Sequence, residues 1–232
     1  MNEIQEKLWE GILCFNRKSY EESKLFFNDV LDWDSGNPEA NYYLGLIYMK
    51  EENYTKAVVY LKSIVDMSVN FIFTHQCRML LGVIYYRTEE WERAKSEFLK
   101  LLKVNFEPAK VHAARASVYY KLEDYENALE EAFKAHKADP YNLNAKNTYG
   151  FLLCDLDIDA EKGVEVLRDV VRLKPENPAY LDSLAWGLYK KGEIKESIDN
   201  FKAAMHLISN EEIEEHYNIV IGVKAAPVRN RI

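Results

Sequence analysis

Small residues recur along the chain with a period close to 34 residues. In frames that start at residues 4, 38, 75, 109, 143 and 178, the eighth position is always small. These positions hold Gly11, Gly45, Gly82, Ala116, Gly150 and Ala185. A second small residue follows twelve positions later, or thirteen in the fifth frame: Ser23, Ala57, Ala94, Ala128, Gly163 and Ser197. This spacing predicts helical hairpins whose two helices cross most closely at the small residues.

Bulky residues surround the small ones at a helical spacing. In five frames the second helix begins with a large side chain: Tyr20, Tyr54, Trp91, Tyr125 and Ile194. Seven positions after the start of the second helix, two turns along the same face, five frames have another large apolar residue: Phe27, Leu61, Phe98, Leu167 and Phe201. Prolines fall between the hairpins, where they end one helix or begin the next. The pattern therefore predicts an all-α chain of amphipathic helix pairs.

Two segments of the chain resemble the tetratricopeptide repeat family. They are Leu44–Tyr48 followed by Tyr54 and Ala57, and Leu81–Gly82 followed by Tyr85, Trp91 and Ala94. The resemblance extends over roughly nine-tenths of the chain at the family's period. It implies a right-handed α-solenoid of six helix-turn-helix hairpins with a C-terminal capping helix. Asn147–Leu153 and Tyr180–Trp186 resemble the last two repeats of many bacterial members, which implies a bacterial source.

The repeat frame also predicts the division of the chain. One solenoid is expected over residues 1–223, with repeats at about 4–37, 38–71, 75–108, 109–142, 143–177 and 178–211. A capping helix is expected at 211–223, because a solenoid exposes its core at both ends. Residues 224–232 are expected to form a flexible tail.

Charge and cysteine content narrow the function classes. The chain has 30 basic and 38 acidic residues mixed along its length, which gives a net charge of −8 and argues against nucleic acid as a partner. The chain has three cysteines, Cys14, Cys77 and Cys154. Because their number is odd and none forms a CxxC pair, we expect reduced, buried thiols. The N-terminus does not resemble a signal peptide and no stretch has the length of a membrane span, so a cytoplasmic protein without membrane insertion is expected.

The sequence contains no motif for catalysis or for a cofactor. A P-loop, a Gly-rich dinucleotide turn, HExxH and a nucleophile elbow are all absent. Glu212 and His216 lie one helical turn apart, but two ligands do not make a metal site. A catalytic site would have to assemble from Asp155, Asp182 and Lys190. We therefore predict a protein that is not an enzyme and uses no cofactor or metal.

The family resemblance implies which side chains meet a partner. Positions four, seven, eight and eleven of each first helix are expected to face the core, and positions two, five, nine and twelve to line a concave groove. The predicted groove residues are Tyr42, Leu46, Met49, Met79, Val83, Tyr86, Tyr120, Phe151, Trp186 and Tyr189. A basic edge is expected one position further, at Lys50, Arg87, Lys121 and Lys190. The alternatives are that the groove residues pack against the neighbouring hairpin, and that the four cations form a solvated edge.

The groove composition predicts the class of ligand. Some members of the family grip a terminal carboxylate through Lys and Asn at positions five and nine, but this chain has mainly apolar residues there, such as Tyr42, Leu46, Met79 and Val83. We therefore predict a protein-interaction scaffold that binds an apolar or mixed peptide segment of another protein. The alternative is a self-associating subunit, a homo-oligomer, in a bacterial envelope or secretion complex.

Overall fold

The computed structural model describes residues 3–67 and 71–222, and within these ranges the chain forms thirteen α-helices and no strand. The helices are α1 (Glu3–Asn16), α2 (Tyr20–Trp33), α3 (Pro38–Lys50), α4 (Tyr54–Met67), α5 (Phe71–Arg87), α6 (Trp91–Lys103), α7 (Pro108–Lys121), α8 (Tyr125–Ala138), α9 (Leu143–Asp155), α10 (Ala160–Leu173), α11 (Pro178–Lys191), α12 (Ile194–Leu207) and α13 (Glu211–Val220). The predicted all-α class is confirmed. The predicted tail, 224–232, lies outside the described residues.

The first compact unit extends to Phe106 and contains three hairpins, α1–α2, α3–α4 and α5–α6. Asn37 caps α3 by accepting a hydrogen bond from the backbone N–H of Ala40, and Pro38 occupies the first turn, where its missing N–H costs nothing. The largest side chains of the core, such as Phe27, are completely buried. The second hairpin thus begins where the sequence places its proline and cap signals.

The second compact unit begins at Glu107 and contains the hairpins α7–α8, α9–α10 and α11–α12, followed by α13. Five of its helices, α8, α9, α10, α11 and α13, begin after an Asp or Asn whose side chain accepts a hydrogen bond from a backbone N–H of the first turn. The first helices of the two later hairpins, α9 and α11, each pack on both helices of the hairpin before them. The single helix α13 packs in the same way on α11 and α12.

The small residues lie at the helix crossings, as the period predicts. A Cβ atom on Gly82 would lie 2.4 Å from a ring carbon of Phe98, and one on Gly45 would lie 2.7 Å from a methyl group of Leu61. Where the second small residue is serine, it has a further contact: the Ser23 hydroxyl donates to the carbonyl oxygen of Gly11 at 2.8 Å. A side chain of any size would push these helices apart.

The turn inside each hairpin uses a left-handed backbone conformation at the same frame position. Five of these residues are not glycine: Lys18, Glu52, Glu89, Glu123 and Asp157, with φ between 55° and 64°. Only the sixth hairpin has a glycine, Gly192, at this position, with φ of 90°. A residue with a Cβ atom is strained in this region, and glycine is not.

Glu123→Gly is expected to raise the free energy of unfolding by about 0.5 to 1 kcal/mol, because it removes this strain at an exposed site. Urea denaturation followed by circular dichroism measures the change. The matched control is Glu126→Gly, on the exposed first turn of α8, which we expect to destabilise by about the same amount. Equal losses in both variants would contradict the argument.

Candidate partner-binding surfaces

In the first unit, the predicted groove residues lie on two neighbouring helices. Tyr42, Leu46 and Met49 are on α3, and Met79, Val83 and Tyr86 are on α5; all six are half-buried. We call these six residues the α3–α5 face. Helices α3 and α5 are in direct contact, and the rings of Tyr42 and Phe73 meet edge-on at 5.2 Å between centroids. Each side chain thus leaves part of its apolar surface accessible.

Two exposed cations border the α3–α5 face. The ammonium group of Lys50 lies 6.0 Å above the ring of Tyr20, and the guanidinium of Arg87 donates to the hydroxyl of Tyr54 at 3.3 Å. Within residues 3–67 and 71–222, neither of the two forms an ion pair with a carboxylate. Their charge is therefore available to an acidic group of another molecule.

In the second unit, the predicted groove residues are joined to one buried carboxylate. Asp155, at the end of α9, is 2% exposed. Its Oδ1 accepts from Nε1 of Trp186 at 2.8 Å, and its Oδ2 accepts from the hydroxyl of Tyr120 at 2.6 Å. Phe151 meets the Tyr120 ring edge-on at 5.7 Å. We call Tyr120, Asp155 and Trp186 the Asp155 network, which ties α7, α9 and α11 together.

Trp186 does not offer an open apolar surface to a partner, which differs from the expectation for a groove residue. Its side chain is only 2% exposed and belongs to the core cluster of α11, α12 and α13. The imidazole of His216 on α13 covers it, at 4.7 Å between ring centroids. Tyr189 remains half-buried beside it, at 5.4 Å. The core of the last hairpin thus extends into a position that the sequence frame assigns to the groove.

The two cations predicted for the edge of the second unit have partners within the chain. The ammonium group of Lys190 lies 2.8 Å from a carboxylate oxygen of Asp157, and that of Lys121 lies 3.8 Å from Glu212. Lys190 is mostly buried, whereas Lys121 is more exposed. These charges are already compensated, unlike those of Lys50 and Arg87.

The three side chains that could have formed a catalytic site, Asp155, Asp182 and Lys190, also have partners within the chain. Asp155 accepts two hydrogen bonds, Asp182 lies 2.9 Å from Nδ1 of His216, and Lys190 pairs with Asp157. His216 therefore faces Asp182 and not Glu212, its neighbour on α13. In the described part of the chain, no group of three or more His, Cys, Asp or Glu side chains is placed to hold a metal ion.

A cleft of about 630 Å³ on the first unit was not anticipated from the sequence. Its lining comes from α4, α5 and α6 and includes an apolar floor with Val65 and Leu81. Two acidic and four basic side chains also line it: Asp66, Glu97, Lys62, Arg78, Arg93 and Lys100. Glu97 is paired with Arg78 at 2.8 Å. The cleft has an excess of positive charge in a chain whose net charge is −8.

None of the helices in the described ranges combines the length and the apolar character that crossing a bilayer requires.

Comparison with known proteins agrees with the repeat architecture. Two family models, both described as tetratricopeptide repeat, match residues 39–67 and 79–142. A tetratricopeptide-repeat-containing protein of Methanocaldococcus jannaschii is 22% identical over 247 residues, covering 88% of this chain and 43% of the relative. Another, from Pseudomonas aeruginosa, is 27% identical over 78 residues, which are 34% of this chain and 13% of the relative. The chain thus spans less than half the length of each of these relatives.

Solved structures share the fold at low sequence identity. The APC/C hetero-tetramer Cut9–Hcn1 contains a chain with a TM-score of 0.75 at 12% identity, over 93% of this chain and 42% of that one. A tetratricopeptide repeat protein from Parabacteroides merdae has a TM-score of 0.68 at 14% identity, over 94% of this chain and 99% of that one. YrrB, described as having an unusual peptide-binding site, has a TM-score of 0.53 at 14% identity, over 82% and 96%.

The helix pairs, their period and these likenesses define an all-α helical-repeat protein of the solenoid class. The chain belongs to the tetratricopeptide repeat family, as its residues predicted. This repeat is a non-enzymatic fold for protein interaction, so the chain is a protein-interaction scaffold in general terms. The relatives come from an archaeon and a bacterium, and the bacterial source stays a prediction.

Proposed function

We propose that the α3–α5 face binds a linear segment of another protein, apolar in its centre and acidic at one end. The observation that carries this proposal is the pairing of six half-buried apolar or aromatic side chains with two exposed cations, Lys50 and Arg87. Met and Tyr side chains on a rigid helical face accept apolar groups at low entropic cost. A carboxylate of the ligand would pair with the cations. The peptide-binding site of YrrB, which has the same fold, supports the same class of ligand.

As part of this proposal the protein has no enzymatic activity and acts in the cytoplasm. Cys14, Cys77 and Cys154 are free and buried, as expected for a protein of a reducing compartment. Burial raises the pKa of both Cys77 and Cys154 to about 12, so these thiols stay protonated and unreactive. The protein then contributes a binding surface and no reactive group.

The double variant Met49→Glu, Met79→Glu is expected to weaken partner binding by about tenfold or more, because it places two charges where the apolar centre of the ligand would pack. Wild type and variant, each checked for equal helicity by circular dichroism, are used to capture partners from a lysate of the source organism. The captured proteins are then quantified by mass spectrometry.

The matched control is Val59→Glu, Leu99→Glu, which adds the same charge on exposed positions of α4 and α6. A partner retained by this control and lost from the methionine variant supports the proposal. A partner retained equally by both variants would contradict it. Capture of another copy of this chain alone, lost in the methionine variant, would favour the self-associating subunit instead.

A further inference from the structure

Helix α13 packs on the last hairpin, α11–α12, through one apolar face. It has ten residues, and Ile213 and Ile219 are 5% and 8% exposed against a cluster that includes Leu181 and Phe201. Three exposed, non-helical residues, 208–210, connect it to α12. The helix thus has its own apolar stripe and an exposed tether.

Two polar contacts join α13 to other helices of the second unit. Nδ1 of His216 lies 2.9 Å from Oδ1 of Asp182 on α11, with both side chains largely buried. Near the start of the helix, Glu212 lies 3.8 Å from the ammonium group of Lys121 on α7. The second contact is exposed and long, so it contributes little. The His216–Asp182 pair is therefore the strong polar contact of the docked helix.

The charges around His216 come from several helices. Asp182 on α11, Asp155 on α9 and Glu212 on α13 are all acidic and act on this imidazole. From α12 the ring of Phe201 faces it, at 6.3 Å between centroids. Lys121 on α7 pairs with Glu212. Two largely buried carboxylates, those of Asp182 and Asp155, thus act on one imidazole, which favours its protonated form.

We propose that the surface formed by α11 and α12 is a helix-binding site, and that α13 is its displaceable intramolecular ligand, held by the His216–Asp182 pair. The ligand that fits in place of α13 is an amphipathic helix of another protein with the same chemistry. It has an acidic first turn toward Lys121, an apolar stripe over Leu181 and Phe201, and a cation opposite Asp182. This site is separate from the α3–α5 face, and it goes beyond the proposed function.

The test uses the entire 232-residue chain and a fluorescent peptide that contains residues 208–222. In the His216→Glu variant, the chain's own helix is repelled by Asp182 and Asp155, so the site opens to the peptide. We expect this variant to bind the labelled peptide about tenfold or more tightly than wild type, because wild type has its own α13 in competition. The matched control, His206→Glu on the exposed end of α12, is expected to bind as weakly as wild type.

Two further measurements separate a displaceable ligand from an inseparable part of the fold. Hydrogen exchange should show that His216→Glu loses protection in α13 while α11 and α12 keep theirs. A loss of protection in all three helices would overturn the proposal, since α13 would then be required for folding of the hairpin. Absence of peptide binding by a variant whose α11 and α12 remain protected would also overturn it.

The contact also has a defined pH dependence. Burial by itself lowers the pKa of His216, but the hydrogen bond to Asp182 and the carboxylates of Asp182, Glu212 and Asp155 outweigh it, and the pKa is raised. Docking is therefore fully favoured below the pKa of the free helix, and weakens as the pH rises through the higher pKa of the docked one. Protection of α13 in wild type, corrected for intrinsic exchange, should fall several-fold between about pH 6 and about pH 8.5. No fall, or an equal fall in His216→Gln, would contradict the role given to this imidazole.

Discussion

Replacement of Asp155 by alanine is expected to lower the free energy of unfolding of the second unit by about 3 kcal/mol. The carboxylate is buried and accepts hydrogen bonds from Trp186 and from Tyr120. Without it, the indole N–H of Trp186 is left without this acceptor inside the core, and the removed atoms leave a cavity. Three helices lose a common contact at once.

Urea denaturation followed by circular dichroism measures this change, with hydrogen exchange of α9 and α11 to assign it to the second unit. Asp199→Ala removes an exposed carboxylate from α12, and we expect it to change the free energy of unfolding by less than about 0.5 kcal/mol. Asp155→Asn keeps an acceptor oxygen and should fall between the two. An Asp155→Ala variant as stable as Asp199→Ala would show that the network contributes nothing.

The same network helps to bury Trp186, although the sequence frame assigned this residue to the groove. Position nine of the first helix points away from the hairpin's own core, and that geometry can be predicted from helical periodicity. Burial of the ring, however, comes from contacts with Asp155 on α9 and with His216 on α13. Both contacts join residues about a repeat apart, and no local pattern reveals them.

The fourth position of each first helix shows the opposite error. Periodicity assigns it to the core, yet four hairpins have a basic side chain there that pairs with an acid on the second helix. The pairs are Lys7–Asp29, Arg78–Glu97, His112–Glu131 and Lys146–Asp169. A search for opposite charges 19 to 23 residues apart would have found them, because that separation recurs with the repeat. In these four hairpins, partly buried ion pairs thus replace apolar packing at the margin of the crossing.

The small residues at the crossings could be predicted because steric exclusion depends on the two helices of one hairpin alone. The left-handed turn residues could not, since five of the six positions have Lys, Glu or Asp where glycine would have signalled the conformation. Residue type signals a backbone conformation only when the sequence uses the unstrained residue. Residue propensities therefore cannot predict a strained conformation at a residue that is not glycine.

At the crossing of α9 and α10, Gly163→Ala is expected to destabilise the second unit by about 3 kcal/mol. A Cβ atom on Gly163 would lie 2.3 Å from Sγ of Cys154 and 2.8 Å from the carbonyl oxygen of Gly150. The sulfur is buried, and the carbonyl belongs to the backbone of the facing helix, so neither can move without separating the helices. The loss in stability therefore comes from overpacking of the helix crossing.

Chemical denaturation measures this loss, and Gly36→Ala provides the control. A Cβ atom at Gly36 would lie 3.2 Å from the sulfur of Met67, the flexible end of a long side chain, so we expect a change within about 0.5 kcal/mol. Adding Cys154→Ala to Gly163→Ala removes the sulfur and leaves the contact with the backbone of Gly150. Partial recovery in this double variant is expected; full recovery would mean that the sulfur alone limits the approach of the two helices. A Gly163→Ala variant as stable as Gly36→Ala would instead mean that α9 and α10 can separate without loss of packing.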